Sequence, residues 1–223
     1  MTIYYHFFCY YECRKGVVFD MENLTYVTGN YGKYVSVKEK FETLGIAIHY
    51  FKYDFEEPNV NDISFISKEK ARGAYDKVKS PVFVKDTGFY IEHYPNHPEY
   101  PGAFVKRSGI GSHVDALLEV MKDVKARDCY FLDCLTFYDG EEFYQFFGES
   151  RGRLSYEIRG TDKKEAISAL WQVFIPDHCD KTLAEMTKQE RSKRPDNRTD
   201  ATSEFILWYQ IQYLSNSFLL TRK

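Results

Sequence analysis

Thr28, Gly29, Asn30, Tyr31, Gly32 and Lys33 place a hydroxyl, an amide, two glycines and a lysine within six residues, where an apolar run gives way to an amphipathic one. Free backbone N–H groups at a helix start, joined by such side chains, hold anions, and phosphate is the usual one. The plain alternative is a capped turn with Asn30 as the cap and Lys33 in water. Lys70 falls on the same helical stripe as Ile66 and Ala74, the stripe that turns inward, so it either snorkels past the core edge or meets a ligand. Asp86 ends a strongly apolar run just before Thr87-Gly88, where strands of an α/β sheet present reactive groups. Glu57 stands in an acidic turn with Asp54, Glu56 and Asp62 nearby. Two carboxylates from separate loops, Glu57 and Asp86, suit Mg²⁺ beside phosphate oxygens, because that ion takes few protein ligands and keeps its waters. Mn²⁺ is the alternative ion.

The elements that would position these groups follow from hydrophobic spacing. Leu24–Gly29 reads as a short buried strand ending in glycine, and Tyr34, Val37, Phe41 and Leu44 then recur at helical intervals. Strand, glycine turn and helix open an α/β unit. Ile46–Phe51 reads as a second strand, and a second helix carries Ile63, Ile66, Ala74 and Val78. Pro81–Asp86 is a third strand, expected to break at Thr87-Gly88 and resume at Phe89. A loop rich in Pro, His and Tyr (Tyr94–Gly102) precedes a helix with Val114, Leu117, Leu118 and Met121. Cys129–Tyr138 and Glu142–Phe147 read as the arms of a hairpin turning at Asp139-Gly140. Arg191–Arg198, with Pro195, should break helical structure before a last helix from Thr202 to Phe218.

Composition bounds the function. The 223 residues carry Lys+Arg 30 against Asp+Glu 33, a net charge of −3, so no overall positive field holds the chain to nucleic acid or an acidic membrane. Any anionic ligand is met locally. Hydrophobic residues at 43% can supply a core, and no apolar run reaches transmembrane length. The five cysteines form no CxxC pair, which points to reduced thiols in a cytoplasmic setting. Met1–Asp20 lacks the basic start and small-residue cleavage site of a signal peptide. It is expected to be an extension outside the fold, leaving residues 21–223 as one two-lobed domain.

Nine segments occur together in a recognisable order: VTGNYGK (Val27–Lys33), DFEEP (Asp54–Pro58), ISKEKA (Ile66–Ala71), PVFVKDTGF (Pro81–Phe89), YPGAFVK (Tyr100–Lys106), FGESRGRL (Phe147–Leu154), RG (Arg159-Gly160), FIPD (Phe174–Asp177) and KTLAEM (Lys181–Met186). In this the chain resembles the inosine triphosphate pyrophosphatase family of house-cleaning nucleotide hydrolases, over roughly Leu24–Arg198. The resemblance implies an elongated α/β fold, with a mixed central sheet and flanking helices forming two lobes around a nucleotide cleft. It also implies a homodimer and Mg²⁺-dependent cleavage of ITP, dITP or XTP to the monophosphate and pyrophosphate. By matching position, Thr28, Asn30 and Lys33 would hold the triphosphate with Lys70, while Glu57 and Asp86 would bind the metal or orient water.

Three departures stand out. Lys85 replaces the first member of the family's acidic pair. If it points into the site the metal loses a carboxylate, and if it points away, as strand alternation allows, the loss is smaller. Trp171, within SALWQVF (Ser168–Phe174), stands where the family places an aspartate that contacts the base, so it either stacks on a base or packs in the core. Beyond Met186 the family's Ser-His-Arg has only Asp196-Asn197-Arg198 as its counterpart, although Lys188, Arg191, Lys193, Arg194 and Arg198 still offer positive charge to a triphosphate. The leading expectation is a nucleoside triphosphate pyrophosphatase with an open base preference. The alternatives are a hydrolase for another base, or a nucleotide-binding homologue with weak or lost hydrolysis that acts as a sensor or partner.

Overall fold

The computed structural model describes residues 24–56, 58–161, 168–195 and 198–214. In chain order the elements are β1 (Thr25–Val27), α1 (Tyr31–Glu42), β2 (His49–Phe51), α2 (Ile63–Val78), β3 (Val82–Ile91), β4 (Tyr100–Gly102), α3 (Val105–Ser108) and α4 (Val114–Val120). They continue with β5 (Asp128–Tyr138), β6 (Phe143–Leu154), a 3₁₀ turn (Ala169–Gln172), β7 (Phe174–Pro176), α5 (Lys188–Lys193), α6 (Ala201–Tyr209) and a π turn (Gln210–Leu214). One mixed sheet runs β2-β1-β3-β5-β6-β7, with β4 added on β3. β1 pairs in parallel with β2 and β3, and the other ladders are antiparallel.

The long strands β3, β5 and β6 serve two core regions. Near β1, one face of the sheet carries α1 and α6 over Tyr26, Phe41, Phe83, Phe137 and Phe205, and the other carries α2 over Val27, Ala71, Ala74, Val82 and Val84. At the far end of the same strands Phe89, Leu117, Met121, Leu154, Leu170 and Phe174 form a separate core. Among the described residues no helix is long and apolar enough to cross a membrane.

Several elements differ from expectation for readable reasons. The first strand ends at Val27, and the second begins only at His49, because Ile46 and Ile48 enter the core from the preceding loop. β3 does not break at Thr87-Gly88, since both residues pair with Asp133 and Leu132 of β5. The second hairpin arm runs on to Leu154, and the Pro/His/Tyr loop contains β4. The basic stretch begins as helix: Thr187 and Glu190 form a capping box that starts α5, and the break comes at Arg194-Pro195. The last helix starts at Ala201, and its expected end at Phe218 lies outside the described residues, as does the expected extension 1–20.

α6 is held mainly by Phe205, which is fully buried and touches Phe41, Phe83, Phe137 and Phe146. Phe205→Ala should cost about 3–5 kcal/mol through the cavity it leaves. Chemical denaturation should show this as a lower midpoint with an unchanged slope.

Candidate functional site

β3 is covered on one edge by β1 only at Val82 and Phe83, and by β4 only from Phe89 to Ile91. Between them the edge from Val84 to Gly88 has no strand partner among the described residues, although β5 pairs its other edge throughout. Side chains from both faces of the sheet therefore reach one opening. A cleft of about 900 Å³ lies there, with Thr28, Asn30, Lys33, Lys70, Asp86 and Trp171 all in its wall.

The turn after β1 aims the first group. Asn30 caps α1, its Oδ1 accepting from Lys33 N at 3.1 Å, and Thr28 Oγ1 accepts from Asn30 N at 3.2 Å. The N–H groups of the first helical turn have no intrahelical carbonyl to reach and lie beside the cleft. Lys33 is not left in water. Its Nζ donates to Thr87 Oγ1 at 3.3 Å and approaches Lys85 O at 3.5 Å. Burial, with only neutral acceptors in reach, lowers its pKa despite the pull of Asp86 and Asp133.

Lys70 comes from α2, which Asp62 caps through Ser64 N and Phe65 N. A buried polar network fixes that helix to the sheet. Ser67 Oγ accepts from Thr136 Oγ1 at 2.7 Å, and Gln145 Nε2 donates to Thr136 Oγ1 and to Ser64 O, both at 3.0 Å. One turn further along α2, Lys70 does not snorkel: its side chain is 12% exposed and its Nζ pairs with Asp86 Oδ1. Asp86 Oδ2 is buried without a hydrogen-bond partner.

Lys85 lies on the face of the sheet opposite Asp86, as strand alternation allows, and it lines the cleft together with Asp133. Its Nζ meets Asp133 Oδ2 at 2.7 Å, while Asp133 Oδ1 accepts from Thr87 Oγ1 at 2.6 Å. Burial pulls the Lys85 pKa down, but the Asp133 carboxylate outweighs it, aided by Asp200, and holds it above the ordinary lysine value. Asp133 belongs to the wall and was not among the expected site residues, whereas Arg194, one of the basic residues expected to meet a triphosphate, does line the wall. Arg194 Nη2 donates to Ser150 Oγ at 2.9 Å.

The structure does not bring every expected residue to the cleft wall. Lys188 turns to Glu39 of α1, with Nζ 2.8 and 2.9 Å from the two carboxylate oxygens. Arg191 sits behind the wall, over the Trp171 ring at 4.9 Å, with Nη1 donating to the carbonyls of Met186 and Leu183. Arg198 donates to the carbonyls of Ser192 and Arg194 and so braces the turn from which Arg194 projects. Glu57 lies outside the described residues. No group of three or more His, Cys, Asp or Glu able to hold a metal ion occurs among the described residues. The orphaned Asp86 Oδ2 nevertheless fits an ion shared with phosphate oxygens and water, which asks for only one or two carboxylates.

At the other end of the cleft Val105, Phe131, Leu170, Trp171 and Leu183 bring an apolar wall that is continuous with the far core. A cleft that is cationic at one end and apolar and aromatic at the other suits a nucleotide, with phosphates at the first and base at the second. The protein is thus of the nucleotide-handling α/β class. Residues 24–208 match the model of the Ham1 family, and the chain belongs to that family. A dITP/XTP pyrophosphatase of Thermococcus kodakarensis is 29% identical over 185 residues, covering 83% of this chain and 96% of its own. Another, from Saccharolobus solfataricus, is 30% identical over 192 residues, covering 86% and 93%. The structure of a HAM1 protein from Coxiella burnetii shares the fold, with a TM-score of 0.65 at 19% identity over 76% of this chain and 89% of that one.

Lys33 gives a test of sign. A lysine whose folded pKa lies below its unfolded value costs stability while both states are protonated, and that cost vanishes as pH rises through the folded pKa towards 10.5. Lys33→Met should therefore raise the thermal midpoint at neutral pH, and the gain should shrink as the pH approaches 10.5. The same variant should bind triphosphate more weakly in calorimetry.

Proposed function

We propose that this chain is a Mg²⁺-dependent pyrophosphatase that hydrolyses noncanonical nucleoside triphosphates, ITP, dITP or XTP, to the monophosphate and pyrophosphate. The pyrophosphatase class follows from membership of the Ham1 family. The observation that carries the site assignment is the pairing of Lys70 with Asp86 in the cleft wall, which leaves one buried carboxylate oxygen unmet. The deaminated purines are proposed because the relatives named above are dITP/XTP pyrophosphatases.

Phosphoanhydride hydrolysis needs charge neutralisation and an aligned water more than a covalent nucleophile. Thr28, Asn30 and the first turn of α1 would cradle phosphate oxygens by hydrogen bonding. Lys33, Lys70 and Arg194 would spread positive charge along the chain of phosphates. Asp86 would hold the ion through Oδ2 while Oδ1 stays on Lys70, so the carboxylate arrives already oriented. When bound, Mg²⁺ polarises a phosphoryl oxygen and activates water. Water adds to the α-phosphorus, the bond to the bridging oxygen breaks, pyrophosphate leaves, and the released proton passes to solvent.

Pyrophosphate release should be followed with ITP, dITP, XTP, GTP, ATP and pyrimidine triphosphates in the presence of Mg²⁺ or Mn²⁺. Absence of turnover with every one of them, by folded protein, would refute the reading. Asp86→Asn should lower kcat by about 10²-fold or more, as expected for a group that organises transition-state charge, while the variant remains folded by circular dichroism at the assay temperature.

Trp171 offers a stacking face in place of a carboxylate acceptor at the apolar end. Trp171→Ala should raise KM about tenfold, the scale of one base-stacking contact, and change kcat much less. A loss confined to kcat would place Trp171 outside base binding.

A further inference from the structure

The cleft wall contains a cation that is neither surface decoration nor part of the Lys70–Asp86 pair. Lys85 and Asp133 lie on one face of the β3–β5 ladder: Thr87 is opposite Asp133 in the register, and Lys85 is two residues before Thr87. Their side chains are 17% and 27% exposed, so the pair is largely withdrawn from solvent although it borders the cleft. Asp133 holds Lys85 with one carboxylate oxygen and Thr87 with the other. An ammonium has three donors, and Asp133 takes one from Lys85. The remaining two have no partner among the described residues.

Charge points the same way. Asp54 and Lys106, both in the wall, cancel each other at 2.7 Å. That leaves Lys33, Lys70, Lys85 and Arg194 against Asp86 and Asp133. The wall is net positive before any ion enters, and a focused positive potential draws in polyanions. Asp133 keeps the Lys85 ammonium in place, which removes part of the ordering cost that a mobile lysine would meet on binding.

We propose that Lys85 Nζ is a resident counter-cation for the ligand's polyphosphate, and that through it the chain binds polyphosphate anions without a divalent metal, with Asp133 as the positioning residue. This rests on the polyphosphate end of the cleft proposed above. The shared chemistry is a chain of phosphate groups, whether inorganic or carried by a nucleoside.

Calorimetry in EDTA tests it, with inorganic tripolyphosphate and an α,β-methylene nucleoside triphosphate as separate probes. Wild-type protein should bind both, and Lys85→Gln should weaken both about tenfold to a hundredfold, the scale of one charge-assisted hydrogen bond. Binding of the nucleotide alone would show that the base end is required as well, and would overturn the claim for inorganic polyphosphate. Because Lys85→Gln leaves Asp133 without its cation, the double variant Lys85→Gln/Asp133→Asn, shown to be folded by circular dichroism, should show the same loss, and Lys85→Arg should retain binding. A folded double variant with wild-type affinity, or wild-type protein that binds neither probe in EDTA, overturns the inference. Mg²⁺-dependent turnover of nucleoside triphosphates, measured on the same wild-type preparation, separates the two claims. Turnover with an unchanged double variant sinks only the role of Lys85, and EDTA binding without any turnover sinks only the hydrolytic reading.

Discussion

The site depends on the length of one short strand. β1 pairs with β3 over Val82 and Phe83 and then turns away, while β4 covers β3 from Phe89 onward. Had β1 continued, its backbone would have closed the edge from Val84 to Gly88, and the side chains of Lys85, Asp86 and Thr87 would have been sealed into two separate faces. An open edge inside a sheet is ordinarily a liability, because unpaired N–H and C=O groups invite another strand. Here the turn at Thr28–Asn30 and the Lys33 side chain lie across it, and Lys33 reaches the Lys85 carbonyl. Gly29 lets that turn approach closely: a Cβ at this position would stand 3.0 Å from Asp54 Cβ.

From the open edge follows the pairing of charges. Lys70 and Asp86 approach from the α2 face, and Lys85 and Asp133 from the face that carries α1 and α6. Withdrawing such pairs from water is costly, and they are weak as sources of stability. Under the function proposed above their use would be preorganisation: each carboxylate fixes an ammonium at the cleft, so less reorganisation would remain when phosphate arrives. Lys33 is the exception, with neutral acceptors only. It is the group most burdened without ligand and so the one with most to gain from an anion.

Much of this was legible in the sequence. The TGNYGK turn, the inward stripe that carries Lys70 and the apolar run that leads to Asp86 are local patterns, and Thr28, Asn30, Lys33, Lys70 and Asp86 all line the cleft. What escaped was pairing across the sheet. Asp133 sits in an apolar run between Leu132 and Cys134, and a lone charge in a strand is itself a sign of a buried partner. Naming that partner required the β3–β5 register, which sequence spacing does not contain. The same holds for the unbroken β3. Thr87-Gly88 looks like a strand end, yet its partners on β5 carry the ladder through it.

The basic stretch after Met186 shows how one segment divides its work. Arg191 and Arg194 are three residues apart, which on a continuing helix would put them on one side. The helix ends at Lys193, ahead of Pro195, and Arg194 has an extended backbone instead. Arg191 is therefore held by the carbonyls of Leu183 and Met186 against the back of Trp171, while Arg194 turns to Ser150 in the cleft wall. A guanidinium over an indole holds the ring in place, and under the function proposed above that ring would meet a base by stacking. The charge that counting assigns wholly to phosphate is thus split, with Arg191 packed on Trp171 and Arg194 bonded to Ser150 in the cleft wall.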